Sequence, residues 1–127
     1  MSPEEFKKRT KTFGLRTIRP VEALPPKRAA QVLGNQLLRA GTSVGANYRA
    51  ACRAKSRADF ISKMGTVEEE TDESLYWMEM LVDAGLIKPA LIGELMREGS
   101  EILSVVVASI NTSKRHSQSA IRNPQSA

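Results

Sequence analysis

Five carboxylates crowd together near the middle of the chain: Glu68, Glu69, Glu70, Asp72 and Glu73. Oxygen ligands of this kind suit a hard divalent cation such as Mg²⁺, and Glu69 and Glu73 stand four apart, on one face of a helix. One turn earlier that face carries Gly65 and Thr66, so the acidic stripe does not extend. A di-iron site in a bundle core needs Glu-x-x-His pairs on two helices, and the single histidine, His116, falls near the C-terminus. Ser43 and Cys52 are the available nucleophiles, but no histidine stands beside them to act as base. Cys52 reads instead as a small packing residue. These patterns predict neither an enzyme nor a cofactor or metal. They favour a seam in which Glu69, Glu70 or Glu73 pairs with Arg49, Arg53 or Arg57 while Glu68 and Asp72 face solvent.

The arginines belong to a lopsided charge distribution. Residues 1–57 hold 13 Lys/Arg against 3 Glu, a balance of +10, and residues 58–127 hold 6 against 11, a balance of −5, which together give the net +5 of the chain. A basic half of this kind serves equally as an electrostatic footprint for phosphates or as one face of a self-complementary assembly. A single cysteine forms no internal disulfide. The longest apolar run, Val105 to Ala108, falls far short of the roughly 18 residues a membrane span requires. The N-terminal residues lack the apolar core of a secretory signal. The expectation is a cytoplasmic protein with no membrane partner.

The elements that must position these groups are helices. With 127 residues, 41% of them hydrophobic and only 5% aromatic, the chain suits one domain packed through Leu, Met, Ile and Ala. Ser2-Pro3-Glu4-Glu5 supplies an N-cap, a first-turn proline and a capping box. Phe6, Thr10, Phe13, Thr17, Val21 and Leu24 then recur at helical spacing. Lys7, Lys8, Arg9, Lys11, Arg16 and Arg19 take the other faces. Pro20 falls inside this stripe and predicts a kink or an early end.

The second helix is predicted from Lys27 to Arg53, with Ala30, Leu33, Leu37, Ala40, Gly41, Val44, Tyr48 and Ala51 on its inner stripe. Gly34, Gly41 and Gly45 would each cost roughly 1 kcal/mol relative to Ala in an isolated helix, so their presence implies that another backbone approaches closely. Ser56 and Asp59 open a third helix that carries Phe60, Met64, Val67, Thr71, Met78 and Leu81 to a glycine C-cap at Gly85. A fourth begins near Pro89 and runs to about Ile110. The stretch 113–127 loses its periodicity and is predicted to be a mobile tail. Four amphipathic segments joined by short turns predict an all-α, antiparallel up-down-up-down four-helix bundle over residues 1–112.

Two further residues stand out. Asn47 is a poor helix former in the second half of a helix; it predicts a buried amide that fixes register or oligomeric state, bonds a carboxylate such as Glu70, or contacts a ligand. Tyr76 and Trp77 lie beyond the acidic cluster, one expected in the core and the other exposed at an interface.

The blocks Arg39-Ala-Gly-Thr-Ser-Val-Gly-Ala-Asn47-Tyr48, Ser56-Arg-Ala-Asp-Phe60-Ile and Val67-Glu-Glu-Glu-Thr-Asp-Glu-Ser74-Leu-Tyr-Trp77 resemble the four helix bundle protein family. Its founding members are encoded within intervening sequences of bacterial 23S ribosomal RNA genes. The resemblance covers roughly residues 4–112. It implies a left-handed four-helix bundle, assembly into a ring-like homopentamer, and a suspected role in binding nucleic acid. Many relatives carry Asn-Ile-Ala-Glu-Gly where this chain has Asn47-Tyr48-Arg49-Ala50-Ala51, so the carboxylate three residues after Asn47 is missing. The family has no accepted catalytic residues to carry over.

Two functions are compatible with these features. In the first, a homo-oligomer binds RNA or another polyanion through Arg16, Arg19, Lys27, Arg28, Arg39, Arg49 and Arg53. In the second, a structural or adaptor protein spends its charges on self-assembly and docks another protein, with Asn47, Glu69, Glu70, Glu73 and Trp77 forming the seam. Arginines left facing solvent favour the first; arginines consumed by the acidic cluster favour the second.

Overall fold

The computed structural model describes residues 1–122 and contains four helices: α1 (Pro3–Glu22), α2 (Arg28–Ala51), α3 (Arg57–Asp83) and α4 (Pro89–Arg122). Each packs on the next, and α1 meets α4 over a shorter stretch to close the ring. Gly14 lies against Gly41, while Gly34 lies against Val21 and Leu24. The hairpin of α1 and α2 is therefore antiparallel, and the same holds around the bundle.

The caps follow the sequence. Ser2 Oγ accepts a hydrogen bond from the Glu5 amide at 3.1 Å, and Ser56 Oγ accepts one from the Asp59 amide at 3.0 Å. Each satisfies one of the amides left unpaired at a helix start. At the end of α3, Leu86 N donates to Leu81 O and Gly85 N to Val82 O, both at 2.9 Å, with Gly85 at φ +72°. That pair of bonds needs a left-handed residue, which glycine adopts without steric cost.

Three boundaries differ from expectation. The first helix continues through Pro20 and ends at Glu22. Pro20 sits in the last turn, where the bond it withholds from the Arg16 carbonyl weakens little of the helix. The second helix is shorter at both ends than the predicted Lys27–Arg53. The fourth does not stop near Ile110: it continues to Arg122, ten residues into the stretch expected to be a tail. Thr112 to Arg122 contains neither glycine nor proline, and a run of ordinary helix formers extends a helix already nucleated upstream. Residues 123–127 of the expected tail lie outside the described residues.

All four helices supply the core: Phe13 from α1, Leu37 and Val44 from α2, Met64, Val67, Met78 and Leu81 from α3, and Ile92, Ile102 and Val106 from α4 are fully buried. Four hydroxyl residues are buried with them, Thr10, Thr17, Thr71 and Ser74. Each donates to a carbonyl three or four residues back on its own helix, at 2.6–3.0 Å, which satisfies the hydroxyl without a partner elsewhere.

The α1–α2 seam is the tightest. A Cβ on Gly14 would lie 3.1 Å from the Gly41 carbonyl oxygen, and one on Gly45 would lie 3.2 Å from Lys11 N. Backbone indeed approaches backbone here, as the glycines predict. At Gly34 and Gly41 the space is taken by side chains, Leu24 and Thr17, 2.7 Å from where a Cβ would sit.

Candidate nucleic-acid interface

The glycine-packed hairpin carries the basic half of the chain. Glu4 and Glu5 in the first turn of α1 and Glu22 at its end are the only acidic residues of α1 and α2, so their outer surface has little built-in neutralisation. Arg16, Arg19, Lys27, Arg28, Arg49 and Arg53 are exposed, and among the described residues none of them makes an ion pair. Lys27 and Arg28 crowd the N-terminus of α2, where the helix dipole disfavours cations. No fold-stabilising reason for them is apparent.

These residues do not form one site. Arg19, Lys27 and Arg28 gather where α1 ends and α2 begins, whereas Arg49 and Arg53 lie at the opposite end, about 30 Å from Arg28 at 1.5 Å per residue, and Arg16 lies between the two groups along α1. Arg16 also leans toward α4, close enough to add a weaker pull on Glu98.

Arg39 departs from the group. It reaches across to α3, with its guanidinium 3.5 Å from Glu70 and 3.4 Å from Glu73. The predicted partners Arg49, Arg53 and Arg57 make no such contact. In an antiparallel hairpin turning near Ala54, Arg49 and Arg53 come level with the start of α3, Arg57 is the first residue of α3 itself, and Arg39 comes level with the acidic cluster. The expectation for Glu68 also fails, since it is half-buried, while Asp72 faces solvent.

Asn47 is half-buried and donates to Ser43 O on its own helix at 2.8 Å. It neither meets Glu70 nor fixes register within the chain. Trp77 packs its ring against the core, with Tyr76 exposed beside it at a ring separation of 5.0 Å. The pair divides between core and surface as predicted, but Trp77 is the core member. Its indole N–H is buried without a hydrogen-bond acceptor, as is one Glu70 oxygen without a donor. The Arg39 guanidinium lies near that oxygen, beyond good hydrogen-bond length. Accordingly, burial pushes the Glu70 carboxyl above its ordinary range more than Arg39 draws it down.

A second arginine, unremarked in the sequence, is better served. Arg9 of α1 donates to Glu98 at 2.8 and 2.7 Å and to Glu101 at 2.7 Å, both on α4. The hydrogen bonds from Arg9 hold the Glu98 carboxyl below its ordinary range despite its burial.

On the other flank of α1 lies a groove of about 450 Å³ between α1 and α2. Lys7, Lys8, Lys11 and Arg49 surround it, Gly14 and Gly45 form its floor, and Leu15 and Ala46 its apolar wall. No carboxylate lines it. The lysines were visible only as part of the basic face of α1. Their spacing does carry the signal: Lys8, Lys11 and Leu15 share one face, and pairing Gly45 with Lys11 sets Arg49 across from Lys7.

A second cavity, about 480 Å³, opens at the same end of the bundle among Phe6, Tyr48, Cys52, Phe60, Met64 and Val105. Burial, then the neighbouring Cys52, pushes the Tyr48 phenol up. Cys52 caps α2 and packs on the core. Among the described residues, no three His, Cys, Asp or Glu side chains come together as a metal site, and no helix is long and apolar enough to cross a membrane.

Four helices in antiparallel sequence, a glycine-notched hairpin and an acidic third helix define the class: an all-α four-helix bundle. Residues 5–108 match the profile of the family described as 23S rRNA-intervening sequence protein, and the chain belongs to that family. The chain is also similar to the crystal structure of a protein of unknown function from the S23 ribosomal protein family of Bacteroides thetaiotaomicron VPI-5482. The two share 32% sequence identity and a TM-score of 0.80, over 87% of this chain and 99% of that one. No curated protein matches the chain.

Proposed function

We propose that the protein is a non-enzymatic, cytoplasmic, self-associating bundle that binds RNA through the basic surface of α1 and α2. The observation that carries this reading is the surface of Arg16, Arg19, Lys27, Arg28, Arg49 and Arg53, exposed and without ion-pair partners among the described residues. Charges held for the fold's own sake would be expected to resemble Arg9, matched by acids on a neighbouring helix. Assembly into the homopentamer that the family resemblance implies would repeat the basic surface around a ring and raise its avidity.

The test is nucleic-acid binding by purified, nuclease-treated protein, with mass in solution measured on the same sample. The expected result is an oligomer that binds structured RNA at about 50 mM salt and loses orders of magnitude in affinity by about 200 mM. The Arg49→Ala/Arg53→Ala variant should bind weakly at both. A stable oligomer that binds nothing at low salt would sink the proposal.

The second reading is an adaptor for another protein. Arg39 favours it, being spent on Glu70 and Glu73 of its own chain and so withdrawn from any polyanion surface. Under that reading, Arg39→Ala changes the mass in solution while the RNA experiment stays blank.

A further inference from the structure

We propose that the groove between α1 and α2 is the subsite that receives a phosphate of a single RNA strand, with the attached sugar or base lying against Leu15 and Ala46. The inference rests on the RNA-binding reading and narrows it from a surface to a place.

Charge complementarity selects the ligand. Lys8, Lys11 and Arg49 are exposed and unpaired among the described residues, and Lys7 is engaged only by Glu4 at 3.0 Å on the surface. Cations converging with no carboxylate in the lining make a site for an anion. The hydroxyls of Thr10 and Thr42, which also line the groove, donate to carbonyls of their own helices, Phe6 O at 3.0 Å and Leu38 O at 2.7 Å. The donors for an oxyanion are therefore the ammonium groups and the Arg49 guanidinium, and these suit a phosphate.

Shape selects the strand. A volume of about 450 Å³ is that of a small-ligand site. That volume is on the scale of one nucleotide unit and not of a duplex. Gly14 and Gly45 line the base of the groove, where the missing side chains let the backbones of α1 and α2 close on each other and fix the spacing of the cations above. Leu15, 58% exposed, offers a surface for the organic part of a phosphodiester. A free inorganic anion would make no use of it.

Three variants test the placement: Ala46→Phe, which fills the groove and leaves every charge; Lys8→Ala/Lys11→Ala, which removes charge at the rim; and Lys88→Ala/Arg97→Ala, which removes two exposed charges elsewhere. Binding of a short single-stranded oligouridylate is followed by anisotropy from about 50 to 200 mM salt, with helix content checked by circular dichroism. The first two variants should each lose roughly tenfold or more in affinity. The lysine variant should also show a slope of log K against log salt shallower by about 0.7, the value for one phosphate on a single strand. The distant pair should bind within about twofold of the parent.

If the parent binds the oligonucleotide and a folded Ala46→Phe binds equally well, the groove is excluded and the broader surface survives. If Ala46→Phe misfolds, an unchanged salt slope in Lys8→Ala/Lys11→Ala excludes the groove by itself. If the parent binds no RNA, both readings fall. Vesicles rich in phosphatidylglycerol form a separate arm: binding there without oligonucleotide binding would assign the same cations to a lipid surface and overturn the proposal.

Discussion

Arg9 and Arg39 each face two glutamates spaced three apart on the neighbouring antiparallel helix, Glu98 and Glu101 for one, Glu70 and Glu73 for the other. The residue pattern is the same and the result is not. Arg9 makes three hydrogen bonds of 2.7–2.8 Å, two of them as a fork on Glu98. Arg39 stands off at 3.4–3.5 Å, half exposed, and leaves one buried Glu70 oxygen without a donor. The carboxyls record the difference in opposite directions: Glu98 is held down by its hydrogen bonds from Arg9, and Glu70 is pushed up by burial. A charge pair stabilises a fold only when geometry compensates for lost hydration. Arg9 meets that condition and Arg39 does not.

The contrast is open to direct attack. Arg9→Ala leaves Glu98 half-buried and unpaired, and should cost about 2 kcal/mol by chemical denaturation; Arg39→Ala should cost about 0.5 kcal/mol, the value of an exposed pair. Equal costs would mean the two clusters are equivalent.

Neutralising the acids should give opposite signs. Glu98→Gln is expected to destabilise by about 1 kcal/mol, whereas Glu70→Gln removes a poorly solvated charge and should be neutral or stabilising by up to about 0.5 kcal/mol. A loss above about 1 kcal/mol in Glu70→Gln would show that Arg39 outweighs burial after all.

The pH profile separates the two further. Glu98, with its folded pKa depressed, contributes stability that is present above the ordinary glutamate value of about 4.3 and disappears as pH falls through its folded pKa. Glu70, with its folded pKa raised, carries a penalty above that pKa which is relieved as acid protonates it, fully below about 4.3. Between neutral pH and about 4, Glu70→Gln should therefore lack a gain that the parent shows, and Glu98→Gln should lack the parent's loss at lower pH. The smallest effect is ionic. At about 1 M salt, with a screening length near 3 Å, the Arg39→Ala deficit should vanish while that of Arg9→Ala persists.

What the sequence disclosed was information local to one helix. Ser2, Ser56 and Gly85 announce the caps because each acts on amides or carbonyls within a turn of itself, and the apolar stripes announce the buried faces for the same reason. Arg39 was legible in principle: with the turn centred on Ala54, Glu70 sixteen residues after it comes opposite Leu38, sixteen before it. Arg49, Arg53 and Arg57 share the residue type of Arg39 but not its register. The groove at Lys8 and Lys11 depends on which flank of α1 meets α2, and that is fixed by glycine contacts between helices. Asn47, anomalous by propensity, returns its amide to Ser43 O within its own helix. The length of α4 was hidden because apolar periodicity reports burial, and a helix can outrun its buried face.

The buried hydroxyls have a mechanical meaning. Because Thr10, Thr17, Thr71 and Ser74 all bond within their own helices, the helices exchange no side-chain hydrogen bond through the core among the described residues. Nothing directional in the interior stops one helix from sliding along another. That motion is blocked as in a ratchet, by fit: Gly14 seated at Gly41, and Gly45 seated at Lys11. A shift of one turn would bring a side chain into a notch cut for none. The axial spacing of the cations on α1 and α2 is thus locked by three missing methyl groups.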